Sequence, residues 1–475
     1  MDYRKQLEVI KNDPASKRLQ EIGYKTRHPE PEKVYKQTDA GNAEMLADML
    51  KGQYLYVPEQ KSWYRYDGKV WTEDVSNNIV QDVIQCLRQA QKEAVDILDD
   101  DKRAKTLKWL LTSESQAKIS AALNLMATIP FMTARINQFD SDDMLLCVQN
   151  GIVDLKTGKL HPHDKERYIT KICHVAYKPD ASSQLFENFL DEIMEGNEEK
   201  KRYLQKLCGY CLTGMTIEQE FYQARGAGQN GKTVLLELIK HCLGSYAITA
   251  SPDILMQRDL SAIPNDVARL QGARMVLTSE PDPGKKFSDC AIKSLTGGDT
   301  VIARFLHKEY FEFKMKAKII MLTNHEIKAI GTDHGLWRRI VVIPFNYRVP
   351  EEKRDKHLPD KLIAEAEAVL SWMVEGCLMW QQEGLKQPEE LTETKEAYRR
   401  GQDAVGLFLE ECCSEGGKVK ASELYDAYRR WCDSSGEFEL SNREFSKRLR
   451  EKGYVTFKSN ITYWNNISLG DGSYR

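Results

Sequence analysis

Long apolar runs are missing from this chain. No stretch approaches the length of a membrane span, so no membrane partner is expected. The N-terminal stretch MDYRKQLEVIKNDPASKRLQ lacks the apolar core of a signal peptide, which predicts a cytoplasmic protein. Paired cysteines are also scarce: eleven Cys are scattered along the chain, and Cys208 and Cys211 form a C-x-x-C with no second pair at zinc spacing. KLCGYCLTG reads as one turn of an apolar helix, so metal or redox chemistry is not expected there. Strong net charge is absent too. A value of −3 neither points to nucleic acid nor excludes it, because a protein that encircles a polyanion can confine its positive charge to a channel. There is no internal repeat or low-complexity tract. What remains is an ordinary soluble composition, 41% hydrophobic and 29% charged over 475 residues, long enough for roughly two to four domains.

Against that background one segment stands out. GAGQNGKT, from Gly226 to Thr233, matches the phosphate-cradling pattern G-x-x-x-x-G-K-[ST] at every fixed position. Gly226, Gly228 and Gly231, with Asn230 between them, let the backbone fold closely around a triphosphate and aim amide N–H groups at its oxygens. Lys232 is expected to neutralise the β- and γ-phosphates of ATP, and Thr233 to coordinate Mg²⁺. Lys232 is also expected to face solvent when no nucleotide is bound. EFYQA before the loop reads as a short buried strand and VLLELIKHC after it as a helix, the context the motif demands.

The rest of the chain divides around this loop. Residues 1–45 are polar and rich in Lys, Glu and Pro, predicting a flexible or loosely packed arm, with structure beginning near Ala43. Residues 46–182 predict an α+β domain: SWYRYDGKVWT alternates aromatic and polar residues around Asp67-Gly68 as a β-hairpin does, residues 78–137 have helical periodicity, and VQNGIVDLKTGKLHPHD returns to short strands. Residues 183–400 predict a parallel α/β core followed by helices. Residues 401–475 read helix, helix, helix and then short strands, the order of a winged helix.

Neighbours of the loop carry further chemistry. ARMVLTSE is a β-rich run ending in Glu280, and an acid at that strand tip can hold Mg²⁺ through water or polarise an attacking water. Ser279 stands where many such ATPases have a second acid, and Asp299 is the next candidate should Glu280 not serve. KIIMLTN ends a further strand in Asn324, a polar group able to reach a γ-phosphate or lytic water. Thr300–Leu306 and Tyr310–Phe313 can pair as a hairpin with His307, Lys308 and Glu309 at its tip. GLWRRIVVIPF sets Arg338 and Arg339 before another strand; two adjacent Arg cannot both face one core, so at least one is available to a phosphate.

The order GAGQNGKT, MVLTSE, LTGGDTVIARF, LTNH and GLWRRIVVIPF resembles the superfamily 3 helicases, specifically the poxvirus-type and satellite-phage-type primase-helicases. NGIVDLKTGKLHPHD with LCGYCLTG resembles their N-terminal family domain, and YRRGQDAVGLFLEECC to YRRWCDSSG their C-terminal winged-helix region, so the likeness covers roughly residues 50–470. It implies an AAA+-like P-loop ATPase core in which Lys232 and Thr233 bind ATP and Mg²⁺, Glu280 activates water, Asn324 senses the γ-phosphate, and Arg338 or Arg339 reaches a neighbour's site. It places His307 and Lys308 on a DNA-tracking hairpin, with Lys314 or Lys316 next in line. It further implies a hexameric ring translocating 3′ to 5′ on single-stranded and forked DNA in the host-cell cytoplasm of a phage or mobile element. The segment before residue 200 leaves no room for a primase domain and carries no primase acid pair or zinc motif, so a partner primase or polymerase is expected to be a separate polypeptide.

Two other readings compete. One is an ATP-dependent origin-binding initiator or loader without unwinding of its own; the other is a regulatory or defence ATPase. From Leu440 to Arg475, seven basic residues (Arg443, Lys447, Arg448, Arg450, Lys452, Lys458, Arg475) face three acids (Glu444, Glu451, Asp471), a balance of +4. A basic helix followed by a wing suits duplex DNA.

Overall fold

The computed structural model describes residues 34–257, 265–282, 284–304, 310–329, 334–436, 439–458 and 461–470. The chain divides into two compact units: one holds residues up to Arg65 together with Glu73–Ile136, the other Tyr66–Thr72 together with the chain from Asn137 onward.

In the first unit, Thr38 sets the start of helix α1 (Asp39–Met49) by accepting from the Gly41 amide at 3.1 Å. Ordered structure therefore begins ahead of Ala43, because a capping threonine lies inside a stretch whose polarity reads as an arm. Strands β1 (Tyr54–Val57) and β2 (Ser62–Tyr66) pair antiparallel. Helices α2 (Asn78–Ala94), α3 (Asp100–Ser113) and α4 (Gln116–Met126) follow, and Leu46, Tyr54, Val83, Leu87, Leu110 and Met126 fill their shared core. Around Asp67-Gly68 the expected turn is present. Asp67 donates its amide to Val70 O at 3.1 Å, Gly68 takes φ +100°, and β3 (Trp71–Glu73) follows.

The second unit opens with an antiparallel sheet of β4 (Leu145–Val148), β5 (Gly151–Asp154) and β6 (Lys159–His161). Helices α5 (Gln184–Ile193) and α6 (Glu198–Cys211) are capped by Ser183 and Asn197. The central element is a five-stranded parallel sheet made of β7 (Phe221–Arg225), β8 (Ala247–Ala250), β9 (Met275–Thr278), β13 (Lys318–Thr323) and β15 (Ile340–Pro344), in the spatial order β15-β7-β13-β9-β8. Helix α7 (Lys232–Leu243) leaves the end of β7. Between the core strands lie β10 (Lys286–Phe287), the helix α8 (Asp289–Thr296), the antiparallel pair β11 (Thr300–Ala303) and β12 (Phe311–Lys314), and β14 (Lys328–Ala329), which pairs with β10.

Both faces of the parallel sheet are covered, which is why its strands read as nearly continuous apolar runs. Tyr222, Ala224, Leu277, Ile320, Val341 and Ile343 pack on one side with α5, α6 and α7. Their alternating neighbours Phe221, Val276, Ile319, Met321 and Val342 pack on the other with Phe287 and Phe313. Helices α9 (Leu358–Ala364), α10 (Ala366–Glu383) and α11 (Glu389–Gly401) follow the sheet.

The C-terminal segment is α12 (Ala404–Cys412), β16 (Cys413–Lys420), α13 (Ala421–Ser435), α14 (Asn442–Glu451), β17 (Thr456–Lys458) and β18 (Thr462–Leu469), with the sheet order β16-β18-β17. The reading of three consecutive helices missed β16. SEGGKVK looks like a connection, but it forms an edge strand whose register shifts between Glu415 and Lys418 at the Gly416-Gly417 pair. Phe408, Tyr428, Trp431, Phe445 and Trp464 form the aromatic core of this segment.

Candidate active site

Strand β7 runs out at Arg225 and the chain turns through Gly226–Gly231 into α7. The turn requires left-handed backbone at Gly228 (φ +90°), Gln229 (φ +53°) and Gly231 (φ +77°). Gly231 is fixed by packing as well, since a Cβ there would stand 2.4 Å from Ile193 Cγ2 and 3.2 Å from Phe189 Cε2 of α5. A Cβ on Gly226 would meet Asn230 Nδ2 at 2.1 Å and Phe345 O at 2.3 Å. The loop is thus wedged between α5 and the exit of β15.

Asn230, expected to contact a ligand, is 2% exposed and donates its side-chain amide to Phe345 O at 3.0 Å. It pins the loop from beneath. Gln229 O accepts from Val349 N at 2.9 Å, and Gln229 Oε1 accepts from Arg354 Nη2 at 2.6 Å. The Arg354 contact was not foreseen, because EEKRDK reads as a solvated charged turn and nothing in it points 125 residues back.

Lys232 corrects an expectation. The residue is only 6% exposed, and Nζ donates to Gly226 O at 2.8 Å and Asn324 Oδ1 at 2.7 Å, with Asn230 Oδ1 at 3.5 Å. The loop wraps its own lysine and the end of β13 supplies the remaining acceptor, so Lys232 is enclosed and not solvent-facing. Burial lowers its pKa below the ordinary lysine value, and the nearby Glu280 carboxylate offsets part of that. Glu280 in turn accepts from the Asn324 amide at 3.2 Å and the Thr323 hydroxyl at 3.4 Å. Lys232, Asn324 and Glu280 therefore stand in one hydrogen-bonded series across the C-terminal ends of β7, β13 and β9.

These groups line a cavity of about 400 Å³ with Gly228, Gln229, Asn230, Gly231, Thr233, Val234, Ser279, Leu322 and Thr323. It lies at the ends of the adjacent strands β7 and β13, whose onward connections run to opposite edges of the sheet, to β8 and to β15, the crevice in which open parallel sheets bind ligands. The first turn of α7 has amide N–H groups without intrahelical partners, and with Lys232 they suit an anion. Among the described residues there is no cluster of three or more His, Cys, Asp or Glu able to hold a metal. The hydroxyl of Thr233 and the carboxylate of Glu280 are hard oxygen donors that fit Mg²⁺, which takes one or two protein ligands and completes its shell with phosphate and water.

Other expected residues lie elsewhere. Arg338 is exposed, while Arg339 is half-buried and donates Nη1 to Gly335 O at 2.8 Å; neither lines this cavity. Asp299, the reserve acid, is exposed and also outside the cavity lining. His307 and Lys308 lie outside the described residues. Their flanking strands pair from Thr300↔Lys314 to Ala303↔Phe311, and near the open end Arg304 lies over the exposed Tyr310 ring, 4.9 Å from its centroid. Neither residue was singled out from the sequence. Lys314 is exposed, but Lys316 is engaged with Asp143 at 2.6 Å and Asp140 O at 2.7 Å, so the second reserve residue for DNA is committed to an ion pair within the fold. Cys208 and Cys211 are buried in α6, where burial pushes both thiols up, Cys211 to about 11.

Comparisons with known proteins follow the same layout. Residues 43–195 match the family described as D5 N terminal like, 224–339 a family of unknown function (DUF5906), and 400–465 the family described as Poxvirus D5 protein-like. A protein of Acanthamoeba polyphaga mimivirus provisionally named a helicase is 25% identical over 352 residues, 68% of this chain and 37% of its own length. One of African swine fever virus provisionally named a primase is 25% identical over 332 residues, 63% of this chain and 34% of its own. One of frog virus 3 provisionally named a helicase is 26% identical over 302 residues, 58% of this chain and 30% of its own. The chain thus spans about a third of the length of these relatives. Among solved structures, the apo NrS-1 C-terminal region (305–718) superposes with a TM-score of 0.53 at 10% identity, covering 90% of this chain and 99% of that one, a likeness of fold. With D5-type segments matched at residues 43–195 and 400–465 and the glycine loop between them, the chain is similar to the D5-type primase-helicases.

Proposed function

We propose that this chain is an ATP-driven DNA helicase of a replicating genetic element. The observation that carries the reading is the convergence of Lys232, Asn324 and Glu280 on one cavity beside the glycine loop. In it the five-stranded sheet is an AAA+-like core and the C-terminal segment a winged helix. Names of viral relatives, helicase and primase, support the class of process.

Each residue has a defined task. The loop amides and Lys232 hold the phosphates; Lys232 exchanges its bonds to Asn324 and Gly226 for phosphate oxygens. That exchange frees the Asn324 amide group to reach the γ-phosphate or the attacking water. Glu280, already hydrogen-bonded to the Asn324 backbone, orients and deprotonates that water. Thr233 and Glu280 would hold Mg²⁺, which supplies charge neutralisation between the phosphates. Arg338 or Arg339, absent from the cavity of its own chain, serves the site of a neighbouring subunit in a ring, which we take as a hexamer. The β11–β12 pair, with Lys308 in the sequence that joins its strands and Arg304 against Tyr310 beside that connection, contacts single-stranded DNA, and movement runs 3′ to 5′. A primase or polymerase activity completes the replication machinery.

The second reading, an ATP-dependent origin-binding initiator, uses the same cavity without strand separation. Lys232→Ala abolishes ATP hydrolysis in either case, and unwinding of a forked duplex by the wild-type chain distinguishes them. Normal turnover by Lys232→Ala would end the ATPase reading, and stable origin binding with no unwinding would favour the initiator.

A further inference from the structure

The C-terminal sheet has two faces of opposite character. Val419 and Trp464 alternate onto the inner face, where they are 7% and 1% exposed. Their neighbours alternate outward: Lys418 and Lys420 on β16, Tyr463 and Asn465 on β18, and Phe457 on β17. Register sets Phe457 and Lys420 on either side of Tyr463, and Lys418 opposite Asn465. The Phe457 and Tyr463 rings stack, with centroids 5.5 Å apart and planes 15° from parallel, and the Lys418 ammonium lies 5.7 Å from the Tyr463 centroid. Phe457 keeps 40% of its surface in solvent, with Val455 at 63% and Ile461 at 48% beside it.

Charge on this face favours an anion. The outward positions named above carry Lys418 and Lys420 and no carboxylate, whereas Lys458, opposite Thr462, alternates to the side of Trp464; Lys420 is also held at 2.7 Å by Glu423 at the start of α13. Apart from the exposed Arg443, the basic residues of helix α14 and its end, which the sequence singles out for duplex DNA, are otherwise engaged. Lys447 and Arg448 pair with Glu444 and Glu451, Lys452 pairs with Asp403, and Arg450 lies over the Trp464 ring.

We propose that the outer face of this sheet binds single-stranded nucleic acid, with bases stacking on Phe457 and Tyr463 and a phosphate meeting Lys418. A single strand is favoured over a duplex because paired bases already cover one another's faces, whereas an unpaired base presents its π-surface to an aromatic side chain. The assignment rests on the DNA partner of the proposed function but not on the ATP cavity.

The test uses the full chain without nucleotide, a fluorescent oligothymidine and a hairpin duplex of equal length, followed by anisotropy across a salt series. Phe457→Ala weakens oligothymidine binding about tenfold, within the range one stacked base supports, while Phe457→Tyr retains it. Lys418→Ala lowers the slope of log affinity against log salt by about 0.7, one phosphate contact on a single strand. Light-driven cross-linking of a bromodeoxyuridine oligonucleotide lands on Phe457 or Tyr463. Unchanged affinity in both Phe457→Ala and Tyr463→Ala, with cross-links elsewhere, overturns the assignment and leaves this face to a protein partner, while the helicase reading stands. An equal loss in Phe457→Ala and Phe457→Tyr overturns stacking, and binding of the duplex alone overturns the choice of a single strand. No DNA binding by the wild-type chain removes the helicase reading as well.

Discussion

Gly228 and Gly231 occupy the same loop with similar backbone, φ +90° and +77°, yet their surroundings differ. A Cβ on Gly228 meets nothing within 4 Å, whereas one on Gly231 meets Ile193 and Phe189. Gly228→Ala therefore carries only the left-handed penalty, about 1 kcal/mol, and Gly231→Ala adds an overpacking cost, for a total of about 2–4 kcal/mol. Urea unfolding of the two variants measures this, and equal losses would show that α5 does not brace the loop. At this scale the sequence announces the glycines, Lys232, Thr233, Glu280 and Asn324, because each stands at a fixed offset from a recognisable strand end. It does not announce that Lys232 is enclosed, that Asn230 is spent on Phe345 O, or that Arg354 reaches Gln229. Each of those facts depends on a partner at least 92 residues away, which no local pattern encodes.

Elements repeat this division. Four of the five parallel strands, β7, β9, β13 and β15, are legible because they are apolar on both faces, whereas the edge strand β8, with Thr249 exposed, is not; nor is β16, because its two glycines and its polar edge resemble a loop, and its partner β18 lies about fifty residues on. Helix α1 was placed late because its buried face includes Gly41 and Asn42, residues that composition assigns to an arm.

One junction between elements makes a pH-dependent prediction. Glu220, just before β7, is held by burial at a pKa of about 7, with the Gln387 amide donating to it at 2.8 Å and opposing the shift. A carboxyl raised above its unfolded value contributes stability that is fully present below about 4.5 and is lost as pH rises through about 7. Glu220→Gln keeps an acceptor for Gln387 and cannot ionise. Its melting temperature should rise relative to wild type as pH increases from 5 to 8, with a gap of up to about 3 kcal/mol in stability. A gap independent of pH would mean that Glu220 is charged throughout.

For the whole molecule, the proposed function requires one arginine of each catalytic site to come from a neighbouring subunit. Arg338 is exposed and Arg339 half-buried, and both lie outside the cavity of their own chain. Arg338→Ala and Arg339→Ala proteins, inactive alone, should regain part of their ATPase activity when mixed with Lys232→Ala protein, because some interfaces then join an intact loop to an intact arginine. No recovery at any ratio, with mixed assembly demonstrated by native mass measurement, would contradict a shared site.

The central claim is that the Lys232–Asn324–Glu280 cavity hydrolyses ATP to drive strand separation, and Glu280→Gln tests it most directly. The amide preserves shape and hydrogen-bonding to Asn324 and Thr323 but loses basicity. ATP affinity should stay within about threefold of wild type, while turnover and forked-DNA unwinding fall together by at least about a hundredfold, the scale of a lost general base. Wild-type turnover in Glu280→Gln would contradict the account.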